Sequence, residues 1–272
     1  AQAYIATRMP ATYAAIYTSL AAAAGRLPDL SPTTLLDIGA GPGTALWATL
    51  SVWPQLQSAT LIETSPAIRA VGQKLAAASA LPNIDWRDAD IRRGALHASS
   101  ADIVTLAYVL DELDPADRTG LVASLWSHTR GLLVIVEPGT TAGWRRILDA
   151  RDQLIGAGAH IVAPCPHAHA CPITAPDWCH FSARVARSRI HRLAKGGDVP
   201  WEDEKFAYLI ASRTPAGAAP ARVLSPPLTA KGRVELKLCN PDGSSNHRLV
   251  TKREGDAFKR ARRVDWGAVF EG

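Results

Sequence analysis

The chain has 272 residues, a formal net charge of +5 and 47% hydrophobic residues, enough to bury the core of one large α/β domain with an insertion or of two small domains. Its apolar runs are too short to cross a membrane and no secretory leader is present, so we expect a cytoplasmic protein rather than a membrane or secreted one. The first residue is Ala1, not methionine, which leaves room for a natural N-terminus further upstream.

The charge is unevenly distributed along the chain. Residues 1–180 hold 12 Lys and Arg against 15 Asp and Glu, whereas residues 181–272 hold 18 against 10. A surplus of positive charge attracts polyanions, so the second part is the predicted nucleic-acid face. A merely solvated basic surface is the alternative interpretation.

Residues 1–30 predict an N-terminal helical segment. The segment is rich in alanine, and its larger apolar side chains recur at helical spacing: Tyr4, Tyr13, Ile16, Tyr17 and Leu20. We expect one or two helices that pack on the core and end in a turn over residues 27–32.

A buried strand followed by a glycine turn is predicted at residues 35–44, which read Leu-Leu-Asp-Ile-Gly-Ala-Gly-Pro-Gly-Thr. Gly39, Gly41 and Gly43 permit close approach of a ligand to the backbone, and a helix is expected over residues 44–56. The third glycine comes one residue early for a dinucleotide fingerprint. Asp37 and the glycine spacing instead resemble the first motif of class I S-adenosylmethionine-dependent methyltransferases, with an ordinary glycine turn as the alternative.

Further acids follow at the positions where such enzymes hold the cofactor. Asp37 can accept a hydrogen bond from the cofactor ammonium group, directly or through water. Glu63 ends the next predicted strand and would bind both ribose hydroxyls. Asp88 or Asp90, after a third short strand, would contact the adenine amine, although each could equally be a solvated loop acid.

Strands and helices then alternate. Strands are predicted at residues 101–106 and 132–137 and helices at 66–80, 121–129 and from about 143. This alternation predicts an α/β fold with a mostly parallel Rossmann-like sheet and helices on both faces, with ligands at the carboxyl ends of the strands. Tyr108 lies at such an end and is a further candidate cofactor contact, and residues 108–113 occupy the place of a catalytic loop.

We therefore divide the chain into four segments. Residues 1–30 are the helical segment and residues 31–155 the cofactor-binding core. Residues 156–200 form a Cys- and His-rich insertion with a basic helix at 184–195. Residues 201–272 hold the last strands of the sheet and a basic C-terminal extension with strands and a short basic helix over 256–270.

The cysteines cluster in the second half of the chain, at Cys165, Cys171, Cys179 and Cys239. Grouped thiols without a secretory signal are more often metal ligands than disulfides. Zinc sites usually use two tight cysteine pairs, which are missing here, so the wide spacing favours an iron-sulfur cubane over zinc or free thiols. Nearby histidines leave a mixed His and Cys site open: His160, His167, His169 and His180.

Taken together, these motifs resemble the methyltransferase-like assembly factors of the small ribosomal subunit, found in mitochondria and bacteria. The resemblance rests on the glycine motif and on several later stretches: residues 107–113, 136–140, 163–167, 178–181, 205–209 and 222–227. It implies an S-adenosylmethionine-binding class I fold, a 4Fe-4S cluster on the four cysteines, and contact with small-subunit ribosomal RNA through the basic C-terminal half. A monomer is expected, in the bacterial cytoplasm or, in a eukaryote, the mitochondrial matrix.

Methyl transfer itself is left open by the sequence. Residues 108–111 do not follow the Asn/Asp-Pro-Pro-aromatic pattern of amine methylation, and no cysteine is spare for pyrimidine carbon methylation. Asp111 and Glu112 could act as bases or merely cap a helix. Three functions remain: an assembly factor with weak or no catalysis, which we prefer, an active RNA methyltransferase, and a small-molecule methyltransferase with structural zinc. No catalytic residue is assigned.

Overall fold

A computed structural model of the protein describes residues 2–89, 98–196 and 199–272, so Asp90 lies outside the described part. Its helices are α1 (Gln2–Thr7), α2 (Met9–Arg26), α3 (Thr44–Val52), α4 (Pro66–Ala76), α5 (Pro115–His128), α6 (Thr141–Gly156), α7 (Arg189–Lys195) and α8 (Asp256–Ala261), with 3-10 turns at Leu110–Glu112 and Lys252–Glu254. Its strands are β1 (Thr34–Ile38), β2 (Ser58–Ile62), β3 (Asn83–Arg87), β4 (Ala101–Ala107), β5 (Thr129–Pro138), β6 (His160–Ala163), β7 (Phe181–Ala186), β8 (Trp201–Ser212), β9 (Ala221–Val223), β10 (Leu228–Ala230), β11 (Arg233–Cys239), β12 (Ser245–Thr251) and β13 (Val269–Phe270).

The first sheet has the strand order β3-β2-β1-β4-β5-β8-β6, and β7 also pairs with β8. β1 to β5 are parallel, whereas β8 runs antiparallel to β5. The chain order reverses between β1 and β4, and this switch point opens a crevice at the carboxyl ends of the strands. This arrangement is the predicted Rossmann-like methyltransferase fold.

The two faces of this sheet explain its continuous apolar strands. Leu35 packs with α2 and α3 on one face, while its neighbour Leu36 packs with α5 and α6 on the other. Both side chains are almost fully buried. A strand covered on both faces gains from apolar residues at every position, which is why β1, β4 and β5 do not alternate with polar residues.

The second sheet follows in the chain and carries its own small core. It has the order β10-β11-β9-β13, with β12 on the other side of β11, and α8 packs against it. Side-chain contacts join it to the segment between β6 and β7: the Arg222 guanidinium donates to the carbonyl oxygen of Pro164, Lys237 pairs with Asp177, and the His180 and Trp266 rings meet edge to face.

Several predicted elements differ from the structure, among them the helix expected over residues 121–129, which begins at Pro115 as α5. The helix expected over residues 184–195 is instead the end of β7 followed by the short helix α7, because residues up to Ala186 complete a ladder with β8. The long Cys- and His-rich connection contains β6, which also pairs with β8. Only residues 256–261 of the C-terminal tail are helical. No helix in the described part of the chain combines the length and apolar character needed to cross a membrane.

Candidate functional site

The glycine turn after β1 has the backbone that its sequence demands. Gly39, Gly41 and Gly43 all have positive φ angles, of 66°, 55° and 84°. A side chain at Gly39 would collide with the Val109 side chain, so only glycine fits beside the turn that follows β4. Gly43 caps α3. The turn is therefore a tight, half-buried backbone at the carboxyl end of β1.

A pocket with an empty volume of about 1120 Å³, open space at its mouth included, lies at the carboxyl ends of the parallel strands. Its lining comes from α1, the glycine turn, the β2 end and start of α4, the residues after β3, and the β4 end with the turn that follows: Tyr4, Gly39, Gly41, Ile62, Glu63, Thr64, Ser65, Ile68, Ala89, Ala107, Tyr108, Val109, Glu112 and Leu113. The structure thus brings together Gly39, Gly41, Glu63 and Tyr108, as the sequence predicts. Gly43, Asp37 and Asp88 do not line this pocket.

Asp37 lies beneath the turn with only 2% of its surface exposed. The Thr105 hydroxyl donates to its Oδ1 at 2.7 Å, while Oδ2 is buried without a hydrogen-bond partner. Burial raises the pKa of Asp37 to about 7, against the opposing effect of the Thr105 hydrogen bond. A buried acceptor without a donor has the chemistry to accept a hydrogen bond from a cation or a water molecule.

Glu63 is held by two main-chain groups at the rim of the pocket. The backbone N–H of Gly41 donates to Oε2 at 2.9 Å and that of Ser65 donates to Oε1 at 2.7 Å. These bonds fix the carboxylate between the glycine turn and α4. A carboxylate accepts more than two hydrogen bonds, so Glu63 retains capacity for ligand hydroxyls.

Asp88, a predicted contact of the adenine amine, does not line the pocket. Its side chain is 66% exposed and pairs with Arg69 at 2.9 Å, and the neighbouring Ala89 lines the pocket instead. Arg69 in turn donates to the main-chain oxygen of Glu63. Asp88 therefore supports the rim indirectly through Arg69.

Tyr108 adopts φ of 60°, an uncommon backbone for a residue with a side chain. Its hydroxyl donates to Glu204 at 2.8 Å, and Glu204 also accepts two hydrogen bonds from Arg8, both at 3.0 Å. Burial and the Glu204 carboxylate raise the pKa of Tyr108 far above that of a free phenol. The phenol is thus a neutral donor fixed in position.

The N-terminal helix forms part of the pocket wall, which sequence reasoning missed. Tyr4 lines the pocket, and the Arg8 guanidinium stacks over the Tyr108 ring at 5.1 Å. The partner of Arg8 lies 196 residues away in the chain, at Glu204 of β8. No local pattern connects such residues; the only available signal was an arginine one turn after the aromatic Tyr4.

The two acids of the predicted catalytic loop, Asp111 and Glu112, have different surroundings. Asp111 pairs with Arg146 at 2.7 Å, and Arg146 also holds the fully buried Glu137 at 2.6 Å. Glu137, at the end of β5, is therefore a structural acid. Glu112 faces the pocket and is the acid of this segment available to a ligand.

A second cavity, with an empty volume of about 540 Å³ that includes open space at its mouth, lies between α6, the segment around residue 165 and the second sheet. All four predicted metal ligands line it: Cys165, Cys171, Cys179 and Cys239. Burial raises the pKa of each thiol, and that of Cys239 reaches about 12. No three His, Cys, Asp or Glu side chains of the described residues converge at the spacing of a bound ion.

The donor set of this cavity fits an iron-sulfur cluster, because four thiols from two parts of the chain face one shared space. His167 also lines the cavity, and its Nε2 lies 3.3 Å from the sulfur of Cys239. The other histidines lie outside the lining: His169 stacks on His167, His180 stacks on Trp178, and His160 is exposed at the start of β6.

The basic surface of the C-terminal part surrounds the end of β12 and α8. It consists of exposed side chains that follow one another closely: Lys252, Arg253, Lys259, Arg260, Arg262 and Arg263. Two acids reduce the positive charge of this surface, since Glu254 pairs with Arg248 and Asp256 pairs with Lys259. By contrast, Arg184 of β7 and Arg187, just after this strand, are ion-paired, Arg184 with Asp203 and Arg187 with Glu202.

The chain is 31% identical over 285 residues to the human mitochondrial ribosome assembly protein METTL17, covering 98% of the chain and 61% of that protein. It is 28% identical over 323 residues to Rsm22-cox11 tandem protein 2, mitochondrial, of Schizosaccharomyces pombe (strain 972 / ATCC 24843), covering 98% and 42%. The chain thus spans about three fifths or less of the length of these relatives.

Among solved structures, the chain is similar to magnesium protoporphyrin IX methyltransferase from Synechocystis PCC 6803 with bound SAH, with a TM-score of 0.47 and 13% identity over 73% of the chain and 83% of that protein. The family profile described as mitochondrial small ribosomal subunit Rsm22 matches residues 1–271. Because this match covers nearly the whole sequence, the chain belongs to the Rsm22 family.

Proposed function

We propose that the protein is an S-adenosylmethionine-binding assembly factor of the small ribosomal subunit, with a 4Fe-4S cluster and weak or absent methyl transfer. It acts as a monomer on ribosomal RNA, in the bacterial cytoplasm or the mitochondrial matrix. Family membership supports the ribosomal role, since the human relative is named as a ribosome assembly protein. The chemistry of the two cavities supports the cofactors.

The observation that carries the proposal is the pocket at the strand ends. Its glycine turn would face the methionine part of the cofactor, with Glu63 at the ribose and the unpartnered Oδ2 of Asp37 toward the ammonium group. Tyr108 would close the other side of the pocket, held by Glu204. Asp88 or Asp90 stays a proposal for the adenine amine, although Asp88 is paired with Arg69.

The second cavity would hold the cluster on Cys165, Cys171, Cys179 and Cys239. When bound, it would join the segment after β6 to the end of β11 and so hold the second sheet against the first. The zinc alternative uses the same thiols. In either case the metal would stabilise the second sheet, which carries the basic surface at the end of β12 and on α8.

Weak catalysis follows from what the loop residues already do. The Tyr108 hydroxyl is engaged by Glu204, and Asp111 is engaged by Arg146. Neither group is free to accept a proton from a substrate without breaking an existing contact.

An active RNA methyltransferase is the second candidate, and a single observation favours it. Glu112 lines the pocket and belongs to the exposed part of the loop, where a substrate would meet the cofactor. If this function is correct, methyl label from the cofactor enters small-subunit ribosomal RNA, and Glu112→Gln abolishes the incorporation.

The experiment is a titration of small-subunit ribosomal RNA with the protein at several salt concentrations, beside calorimetric binding of S-adenosylmethionine. Each phosphate contact contributes roughly 0.7 to 0.9 to the slope of log affinity against log salt. Replacing both Arg262 and Arg263 by Gln should reduce the magnitude of this slope by about 1.5. The control is a double variant, Lys74→Gln with Arg87→Gln, at the far edge of the first sheet; it removes the same charge and should leave the slope unchanged.

RNA affinity that neither depends on salt nor falls in the Arg262 and Arg263 variant contradicts the proposed RNA face. Cofactor binding without any RNA binding would favour the small-molecule methyltransferase instead. Absence of cofactor binding would refute the assignment of the pocket.

A further inference from the structure

Two buried arginines stand beside the cysteine cavity. Arg151, from α6, and Arg222, from β9, both line it, with 1% and 5% of their surfaces exposed. Buried guanidinium groups are normally paired with carboxylates, because removing a permanent charge from water is costly.

Arg151 is held mainly by main-chain oxygens of the cysteine segment. Its Nη2 donates to the carbonyl oxygens of His167 and His169 at 3.0 and 2.6 Å, and its Nε is buried without a partner. Its ion pair is with Asp152 at 3.1 Å, but that carboxylate is 73% exposed. A solvated acid compensates a buried charge poorly.

Arg222 has no ion-pair partner in the described part of the chain. Its Nε donates to the carbonyl oxygen of Pro164 at 2.9 Å and its Nη1 to that of Gly267 at 2.7 Å. Pro164 directly precedes Cys165, so this guanidinium lies next to the first thiol of the cavity.

A third buried arginine provides the contrast. Arg146 lies on the same helix as Arg151 and pairs with two carboxylates, Glu137 and Asp111. Neutral carbonyl oxygens satisfy the N–H groups of Arg151 and Arg222 but do not balance their charge. The counter-charge missing at these two sites must come from the cavity that both of them line.

We propose that Arg151 and Arg222 are positioning residues that balance the negative charge of a metal cluster held by the four cysteines. An oxidised cubane core on four thiolates carries two negative charges, which two guanidinium groups would offset. This inference rests on the proposed cluster. Since reduction adds one more electron to the cluster, nearby positive charge favours the reduced form and raises the reduction potential.

The test uses the full chain reconstituted with iron and sulfide without oxygen, followed by dithionite titration of the cluster absorbance. Arg151→Gln and Arg222→Gln should each lower the ratio of reduced to oxidised cluster at fixed potential about tenfold, a shift of about 59 mV for one electron. Arg151→Lys and Arg222→Lys keep the charge and should stay near the wild-type potential. Lys74→Gln, on the surface of α4, controls for net charge.

If the two arginines are purely structural, the Lys variants should lose the cluster as readily as the Gln variants do. Any variant that still holds the cluster should then keep the wild-type reduction potential, and that result overturns the inference. If all four arginine variants lose their iron, the Lys variants decide: they keep the positive charge, so their failure to hold the cluster shows that charge is not what these positions supply and overturns the inference. A wild-type chain that takes up no iron refutes the proposed cluster itself.

Discussion

At the scale of single residues, Asp37 shows how burial changes a carboxyl group. It is enclosed by the core, has one donor in Thr105, and its pKa is raised to about 7. A carboxyl group whose folded pKa exceeds its unfolded value near 3.8 retains its proton in the folded state. Its contribution to stability is therefore complete at low pH and is lost as the pH rises through about 4 to 7.

We predict that Asp37→Asn removes this dependence. The amide keeps the shape and the Thr105 contact without ionising, so the variant should be more stable than the wild type above pH 7 by an amount on the order of 4 kcal/mol or less. Near pH 4 the difference should vanish. Urea unfolding of both proteins between pH 4 and 8, without cofactor, measures it, and a difference that does not depend on pH would show that Asp37 ionises normally.

At the scale of elements, two helical glycines illustrate opposite roles. Gly143 is the third residue of α6, whose N-cap is Thr140, and a Cβ at Gly143 would overlap the main-chain oxygen of Pro138. Gly120 lies inside α5, where a Cβ meets only open space. The first glycine is required by close backbone approach, and the second costs helix stability.

The paired substitution Gly143→Ala and Gly120→Ala should therefore give shifts of opposite sign. We expect Gly120→Ala to stabilise the protein by about 0.5 to 1 kcal/mol. Gly143→Ala should destabilise it by more than that, because the added Cβ meets the main chain of Pro138 and neither of these two backbone segments can move away freely. Thermal or urea unfolding under identical conditions measures both. Equal effects would show that the start of α6 relaxes without cost.

At the scale of the whole molecule, the two sheets meet at the cysteine segment. Three of the four thiols belong to the segment between β6 and β7, and Cys239 ends β11 of the second sheet. A cluster on these residues would add a strong link to the side-chain contacts that already join the two sheets, so its removal should loosen the smaller second sheet more than the first.

This prediction is tested by hydrogen exchange with and without a chelator. We expect protection to fall in residues 221–272 after metal removal and to remain in β1, β4 and β5. Cys171→Ser, loaded with iron and sulfide in the same way as the wild type, should show the same loss of protection without a chelator. Uniform loss of protection, or none, would contradict a linking role for the metal.

The amino-acid sequence by itself determined the parallel core, the glycine turn and the acids at the strand ends. These features depend on short-range rules: apolar runs, positive φ at glycine, and the meeting of parallel strand ends at one edge. The pairing of β7 with β8, the role of α1 in the pocket wall and the Arg8–Glu204 contact were decided by tertiary structure. So were the ion pairs of Asp88 and Asp111 and the burial of Arg151 and Arg222 beside the thiols, because the partners lie far apart in the chain or share a cavity that no local pattern encodes.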